Sequence, residues 1–368
     1  MKKIDFKNFK QNRAVRVGAF LLAFVLIFCS LSSFVFTTKN GARYKSKYYP
    51  QYAFQDEKEN SLQILGVGNS NLYSAFDVPD LWHDFGYTAS MAAVGFQSPS
   101  VSYQLLKKAY ETQKPKVVLI ETDILYDEKP IQTHGVTPKT TVFDYFKTEF
   151  IDDKIQSVFP ILKFHDMWKH PIDNKYNVDT PDSHGFKYDS RHGKYNVPNY
   201  MAKTDKTEDV SEINIYYLEK ILSLCRENGS EPLLISVPSL TSWDYARHNS
   251  MTALAKKENV DYIDFNMLTA QLKIDLAKSF RDNGTHMNYS GAKKVTDYLG
   301  GYIAEKYSLA DLRGDKSYSY WNDSYNNFVA QMKQTDEKQR EKALERKHNG
   351  QSKDGHKGSH KGAHKDKA

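Results

Sequence analysis

Between residues 62 and 307, short and almost uninterrupted apolar runs alternate with longer segments of helical spacing, a rhythm that few folds accommodate. Leu62-Gln63-Ile64-Leu65-Gly66-Val67-Gly68, Tyr87 to Val94, Lys116 to Glu121, Pro232 to Val237 and Val260 to Phe265 read as strands. Asn71 to Phe85 (broken by Pro79), Val101 to Thr112, Ile213 to Asn228, Ser242 to Glu258 and Ala292 to Tyr307 read as helices, and Leu272 to Phe280 is helix-like. Strands apolar at nearly every position are buried on both faces, and strands separated by whole helices pair in parallel. The expected class is α/β, a three-layer sandwich around a parallel sheet.

The ends of the chain differ from this middle. Val17 to Phe36 carries no charge, and about 20 apolar residues suffice for a helix to cross a ~30 Å hydrocarbon layer. Lys2, Lys3, Lys7, Lys10, Arg13 and Arg16 precede it and favour a cytoplasmic N-terminus, although Lys39, Arg43, Lys45 and Lys47 follow and weaken the bias. A cleaved signal peptide is the alternative, but the run exceeds a typical h-region and no small-x-small cleavage site closes it. The expected layout is a cytoplasmic segment 1–16, a transmembrane helix 17–36, a membrane-proximal linker 37–60 and a main domain 61–307 interrupted by an insertion at 126–210. A folded extension 308–334 and a disordered Lys/His/Gly-rich tail 335–368 complete it. The main domain then lies outside a cell membrane on a single-pass anchor.

Composition excludes several functions. The net charge of +6, from 51 Lys and Arg against 45 Asp and Glu, collects largely in the tails, so the domain does not read as a nucleic-acid surface. Cys29 lies in the anchor and Cys225 stands alone beyond it, so no disulfide staples the domain. His356, His360 and His364 have a spacing that fits ligation on a helix, but their glycine and lysine neighbours favour a solvated basic tail. No cofactor and no metal is expected.

Two short runs carry the chemistry. Gly68-Asn69-Ser70 closes the first strand, placing Ser70 where helix N-termini collect at the carboxyl edge of an α/β sheet. Serine is also a common N-cap, so a purely structural role stands beside that of nucleophile. Asp282-Asn283-Gly284-Thr285-His286 precedes the last helix, and an imidazole with a nearby carboxylate is the usual base for a serine. Alone, the pair reads equally as a loop aspartate and a surface histidine.

Together the runs resemble conserved blocks of the SGNH/GDSL hydrolase superfamily. Ile64 to Ser70 is similar to its first block, and Asp282 to His286 followed by Met287-Asn288-Tyr289-Ser290-Gly291-Ala292 is similar to its last, especially in membrane-anchored envelope proteins. The resemblance spans roughly residues 60–307. It implies Ser70 as nucleophile, His286 as base, Asp282 as orienter and the Gly95 amide as an oxyanion-hole donor, with Asn69 beside the substrate. The chain departs from the pattern after strand three: Glu121-Thr122-Asp123 stands where many members carry Gly-x-Asn-Asp, and an ionised Asp123 cannot donate a hydrogen bond. Gln97 is a candidate replacement donor, or simply a polar turn residue. Asp282 also sits one residue further from His286 than in the commonest Asp-x-x-His form. His165 and Trp168 in the insertion line a substrate cleft or pack locally, and Glu121 is a buried acid or an exposed strand end.

The resemblance implies a serine esterase or O-acyltransferase without cofactor, acting on ester-linked acyl groups of an envelope polysaccharide or teichoic acid and partnered by a membrane O-acyltransferase. A non-catalytic accessory protein that binds glycopolymer or such a partner is the alternative.

Overall fold

The computed structural model describes residues 13–37, 49–126 and 181–358. Five parallel strands form one sheet in the order β2-β1-β3-β4-β5: β1 Ile64–Gly68, β2 Ala89–Ala93, β3 Val117–Glu121, β4 Glu231–Ser236 and β5 Asp261–Asp264. Ile64 faces Ala89 on one side and Val117 on the other, and Leu233 faces Asp261 at the far edge. Strands β1, β2 and β3 are buried at every position, and β4 at every position but Glu231, which is why their sequences show apolar runs rather than alternation.

The helices of the domain follow the strands. Ser70–Ala75 (α2) and Val78–Phe85 (α3) follow β1, Pro99–Ala109 (α4) follows β2, and Glu212–Glu227 (α5) precedes β4. Tyr245–Glu258 (α6) follows β4, and Tyr289–Tyr307 (α7) comes after β5. Helices α4 and α5 pack together, while α2 and α3 pack with α7. Right-handed crossovers produce this division, because the chain leaves β1 toward β2 and then reverses toward β3, β4 and β5. The reversal opens a crevice at the carboxyl ends of β1 and β3, the place where open α/β sheets bind ligands. Ser70 and Asp123 both lie there.

Pro79 explains the break expected within Asn71 to Phe85. It sits in the first turn of α3, where a missing N–H costs nothing, and Asp77 caps that turn by accepting from the Asp80 amide at 3.2 Å.

Several expectations need correction. The linker 37–60 is organised from Tyr49 onward: a helical turn, Tyr49–Tyr52, runs into a 3₁₀ turn, Ala53–Asp56, and Ala53 and Phe54 are fully buried. So short an apolar pair leaves no periodic signal. Leu272 to Phe280 is a series of turns, with Lys273 in the left-handed region at φ 54° and the Asp275 carboxylate accepting from the Ala277 amide. The tail expected to be disordered from 335 continues as helix, since Tyr320–Gly358 (α8) spans 39 residues. Residues 331–345 are rich in Gln, Glu, Lys and Arg, which are good helix formers, and the Asp336 carboxylate accepts from the hydroxyls of Tyr188 and Ser190. The start of α8 adds burial, with Trp321 5.5 Å from Trp82 and Phe328 beside Phe186.

Arg13–Thr37 (α1) is 25 residues long, about 37 Å at 1.5 Å per residue. Its large apolar side chains between Val17 and Ile27 stand exposed. Side chains of α1 are described as far as Ser30, and among the described residues no helix is long and apolar enough to cross a membrane.

Candidate active site

Ser70 occupies the first helical position after β1. Asn69 caps α2, its side-chain oxygen accepting from the Asn71 amide at 2.8 Å, so the hydroxyl of Ser70 is left to face outward from the crevice. Gly68 allows this turn by close approach: a Cβ there would stand 2.6 Å from Cβ of Glu121 and 3.0 Å from that of Leu72. Any larger residue would push β1 and β3 apart at the point where the two strands deliver Ser70 and Asp123.

The loop before α7 reaches Ser70 across the sheet edge. His286 Nε2 lies 2.8 Å from Ser70 Oγ, and His286 Nδ1 lies 2.5 Å from Asp282 Oδ2. The other oxygen of Asp282 accepts backbone N–H groups of Gly284, Thr285 and His286 at 3.2, 3.0 and 3.1 Å. Burial pushes the Asp282 carboxyl up, but the His286 side-chain bond and the backbone amides outweigh it and hold the group at about 2. An ionised Asp282 therefore fixes the imidazole with its proton on Nδ1 and its lone pair toward Ser70, the arrangement a serine base requires. The extra residue between Asp282 and His286 is taken up by the turn at Gly284, whose φ is 101°.

A strap from the described end of the insertion supports this loop. The Gly193 amide donates to the Phe280 carbonyl at 2.8 Å, the Asn288 side chain donates to the Arg191 carbonyl at 3.0 Å, and the Tyr195 hydroxyl donates to the Leu276 carbonyl at 2.7 Å. Contact at Gly193 is so close that a Cβ would fall 1.5 Å from the Asp282 carbonyl oxygen. Nothing in the sequence around Gly193 signals this role.

The remaining candidates divide. Gly95 follows β2 and is partly exposed, with the Tyr73 hydroxyl of α2 the nearest atom to a Cβ built on it, at 3.9 Å. It thus lies beside the helix that carries Ser70. Gln97 is not available as a replacement donor: it is fully buried, and its amide nitrogen donates to the Ala92 carbonyl at 2.8 Å and to Ser102 Oγ at 3.0 Å. The turn that causes this places Phe96 at φ 58° and outward, which directs Gln97 inward. Asn69, expected beside the substrate, is only 3% exposed and serves as cap, with its nitrogen 3.4 Å from Asp123. His165 and Trp168 lie outside the described residues. Glu121 is buried, and its carboxylate accepts from the Asp123 amide at 3.0 Å.

Asp123 itself is the centre of a buried polar cluster that sequence reasoning treated only as a missing donor. Asn71 donates to it at 2.7 Å, and Arg247 reaches its other oxygen at 3.2 Å while also forking onto Glu208 at 2.9 and 3.0 Å. The Arg247 guanidinium lies 4.4 Å from the centre of the Tyr126 ring. Burial raises the Asp123 carboxyl above its ordinary value, with Arg247 and the asparagine amides opposing that shift. The cluster ties the ends of β1, β3 and α6 together beneath Ser70.

A second serine–histidine–carboxylate set shows what the first is not. His184 Nδ1 lies 2.6 Å from Glu57, its Nε2 lies 3.1 Å from Ser324 Oγ, and its ring stacks on Trp321 at 3.8 Å. The His184 and Glu57 side chains are almost sealed, at 6% and 5% exposure, whereas His286 and Asp282 are 24% and 34% exposed. Ser324 lies inside α8 and Ser70 at a helix start, where the first N–H groups have no intrahelical acceptor. Of these two sets, that of Ser70 combines access with a position at a helix start. Among the described residues no cluster of side chains suits a metal ion.

No protein-family model and no curated protein matches the chain. Among solved structures, it is similar to a GDSL-like lipase from Bacteroides thetaiotaomicron (11% identity, TM-score 0.36, 72% of this chain and 100% of that one). It is also similar to a psychrotrophic esterase from Pseudoalteromonas sp. (13%, 0.34, 67% and 98%) and to the lipase/acylhydrolase from Enterococcus faecalis (12%, 0.34, 68% and 100%). Likenesses of this size carry no weight for activity, and the reading below rests on the geometry of this chain.

Proposed function

We propose that the chain is an SGNH-like serine esterase or O-acyltransferase. The observation that supports this reading is the continuous hydrogen-bonded line from Asp282 through His286 to Ser70, partly exposed at the carboxyl edge of the sheet. In the proposed mechanism Ser70 Oγ attacks an acyl carbonyl while His286 Nε2 takes its proton and Asp282 stabilises the resulting imidazolium. The backbone amides of Ser70 and Gly95 receive the developing oxyanion. His286 then returns the proton to the leaving alcohol, giving an acyl-Ser70 that water or an acceptor hydroxyl resolves.

The finer parts of the proposal come from the sequence: Val17 to Phe36 holds the domain at the outer face of a cell membrane, and the acyl groups belong to an envelope polysaccharide or teichoic acid, with a membrane O-acyltransferase as partner. The row of exposed apolar side chains on α1 supports the anchor. The accessory-protein reading draws on one observation among the described residues, that the side-chain amides of Gln97, Asn69 and Asn71 are engaged: Gln97 donates to Ala92 and Ser102, and Asn69 and Asn71 both donate to Asp123.

Hydrolysis of p-nitrophenyl acetate separates the two readings. Wild-type turnover that disappears in Ser70→Ala and in His286→Ala, with both variants folded by circular dichroism, supports the enzyme. Equal rates in wild type and Ser70→Ala would leave the accessory role.

A further inference from the structure

Arg281 immediately precedes Asp282, and its guanidinium donates through Nη2 to Ser74 Oγ at 2.9 Å. Ser74 Oγ in turn donates to the Ser70 carbonyl at 2.6 Å. Ser70 and Ser74 are four residues apart on α2, so they share one helix face, with Cβ atoms about 5–6 Å apart. The loop from Arg281 to His286 therefore meets that face twice, with the imidazole on Ser70 and the guanidinium on Ser74.

Unlike Arg191, Arg247 and Arg313, this guanidinium has no anion among the described residues, and unlike Arg226, which bonds the Glu258 and Asn259 carbonyls, it lies beside the crevice. Arg191 forks onto Asp189, Arg247 onto Glu208 and Asp123, and Arg313 onto Asp311. Among the described residues Arg281 has no carboxylate within ion-pair distance, and the nearest one in sequence, Asp282, is committed to His286 and three amides. One hydrogen bond to a hydroxyl leaves most of the fork open, and the residue is partly exposed beside the crevice. A second positive charge flanks α2 from the strap: Lys187 Nζ lies 5.0 Å from the ring centre of Tyr73, whose hydroxyl approaches Gly95. A half-buried cation without a counter-ion is costly to keep, and a planar fork of donors matches an oxyanion in two bonds.

We infer that Arg281 is a recognition group for an oxyanion, phosphate or carboxylate, carried by the substrate a few bonds from its ester. This deepens the acyl-transfer reading and rests on it for the word substrate, while the anion site itself is testable without turnover. The guanidinium would hold the charged group one helical turn from Ser70 Oγ, which orients a polyol ester so that its carbonyl meets the nucleophile. A neutral ester gains nothing from this contact.

The test is calorimetric titration of the full chain with glycerol 1-phosphate, glycerate and glycerol, in wild type, Arg281→Gln and Ser74→Ala. Expected are salt-sensitive binding of one or both anions, no binding of glycerol, a loss of at least tenfold in Arg281→Gln, and retention in Ser74→Ala, which keeps the charge. Comparing the two anions tells phosphate from carboxylate. Absence of anion binding in the folded wild type, or binding unchanged in Arg281→Gln, overturns the inference. Protection of Ser70 from a fluorophosphonate by the bound anion places the site beside the nucleophile. Failure of the wild type to react with the fluorophosphonate would sink the enzyme reading alone, leaving the titration to decide the anion site.

Discussion

Replacing Asp282 by asparagine changes one atom and should disable the base while leaving its loop in place. The amide oxygen of Asn can still accept from Gly284, Thr285 and His286, which hold the turn through Oδ1 of Asp282. The amide nitrogen then faces His286 Nδ1, where Oδ2 now sits at 2.5 Å. A donor at that position forces Nδ1 to accept, moves the imidazole proton to Nε2 and points it at Ser70 Oγ, 2.8 Å away. In serine proteases this tautomer error costs about 10⁴ in kcat, close to 5.4 kcal/mol at 1.36 kcal/mol per tenfold. Asp282 is 34% exposed, so water competes with the new contact, and the expected loss in kcat is between about 10² and 10⁴. The assay is kcat on p-nitrophenyl acetate, with thermal midpoints measured alongside. A loss below tenfold, in a protein that His286→Ala inactivates, would refute the claim that Asp282 sets the tautomer.

Other outcomes follow from the same contacts. Because Asp282 titrates at about 2, below its ordinary 3.8, its stabilising bond to His286 is fully present above the ordinary value and is lost as pH falls through the folded one; a carboxyl NMR titration midpoint at or above 3.8 would contradict the geometry. Gly193→Ala places a methyl on backbone atoms of Asp282, so it should cost about 1–3 kcal/mol from overpacking and lower kcat, and unchanged stability and rate would show that the strap does not support the loop. His184→Ala leaves Glu57 buried without its partner and should destabilise by about 3–5 kcal/mol without touching the Ser70 chemistry; a larger fall in kcat of the folded variant than in stability would refute that separation.

The sheet was legible because each of its buried strands is a short apolar run with helices between; β1, β2, β3 and β5 fall within the runs that suggest them, and β4 starts one residue early, at Glu231. Ser70, His286 and Asp282 were legible through two compact motifs, and the structure brings the three side chains into one line. What escaped depends on contacts distant in sequence or on single backbone angles. Gln97 turns inward because Phe96 takes a left-handed φ, a choice no pattern of residue types announces. Gly193 meets the Asp282 carbonyl only through tertiary packing, and the buried pair of Glu57 and His184 joins segments 127 residues apart. The helix beyond 335 was missed because low apolar content suggested disorder, whereas helix-forming residues and the docking of Asp336 on Tyr188 and Ser190 sustain it. One signal was readable in hindsight: Ser70 and Ser74 share a helical face, and the basic residue before Asp282 meets it.

Reaction with a fluorophosphonate, read by intact mass and peptide mapping, tests most directly whether Ser70 is an activated nucleophile. The account expects a single adduct on Ser70, none in Ser70→Ala, and labelling slowed at least a hundredfold in His286→Ala. A folded wild-type protein that takes up no adduct, or that carries it on another serine such as Ser324, would contradict it.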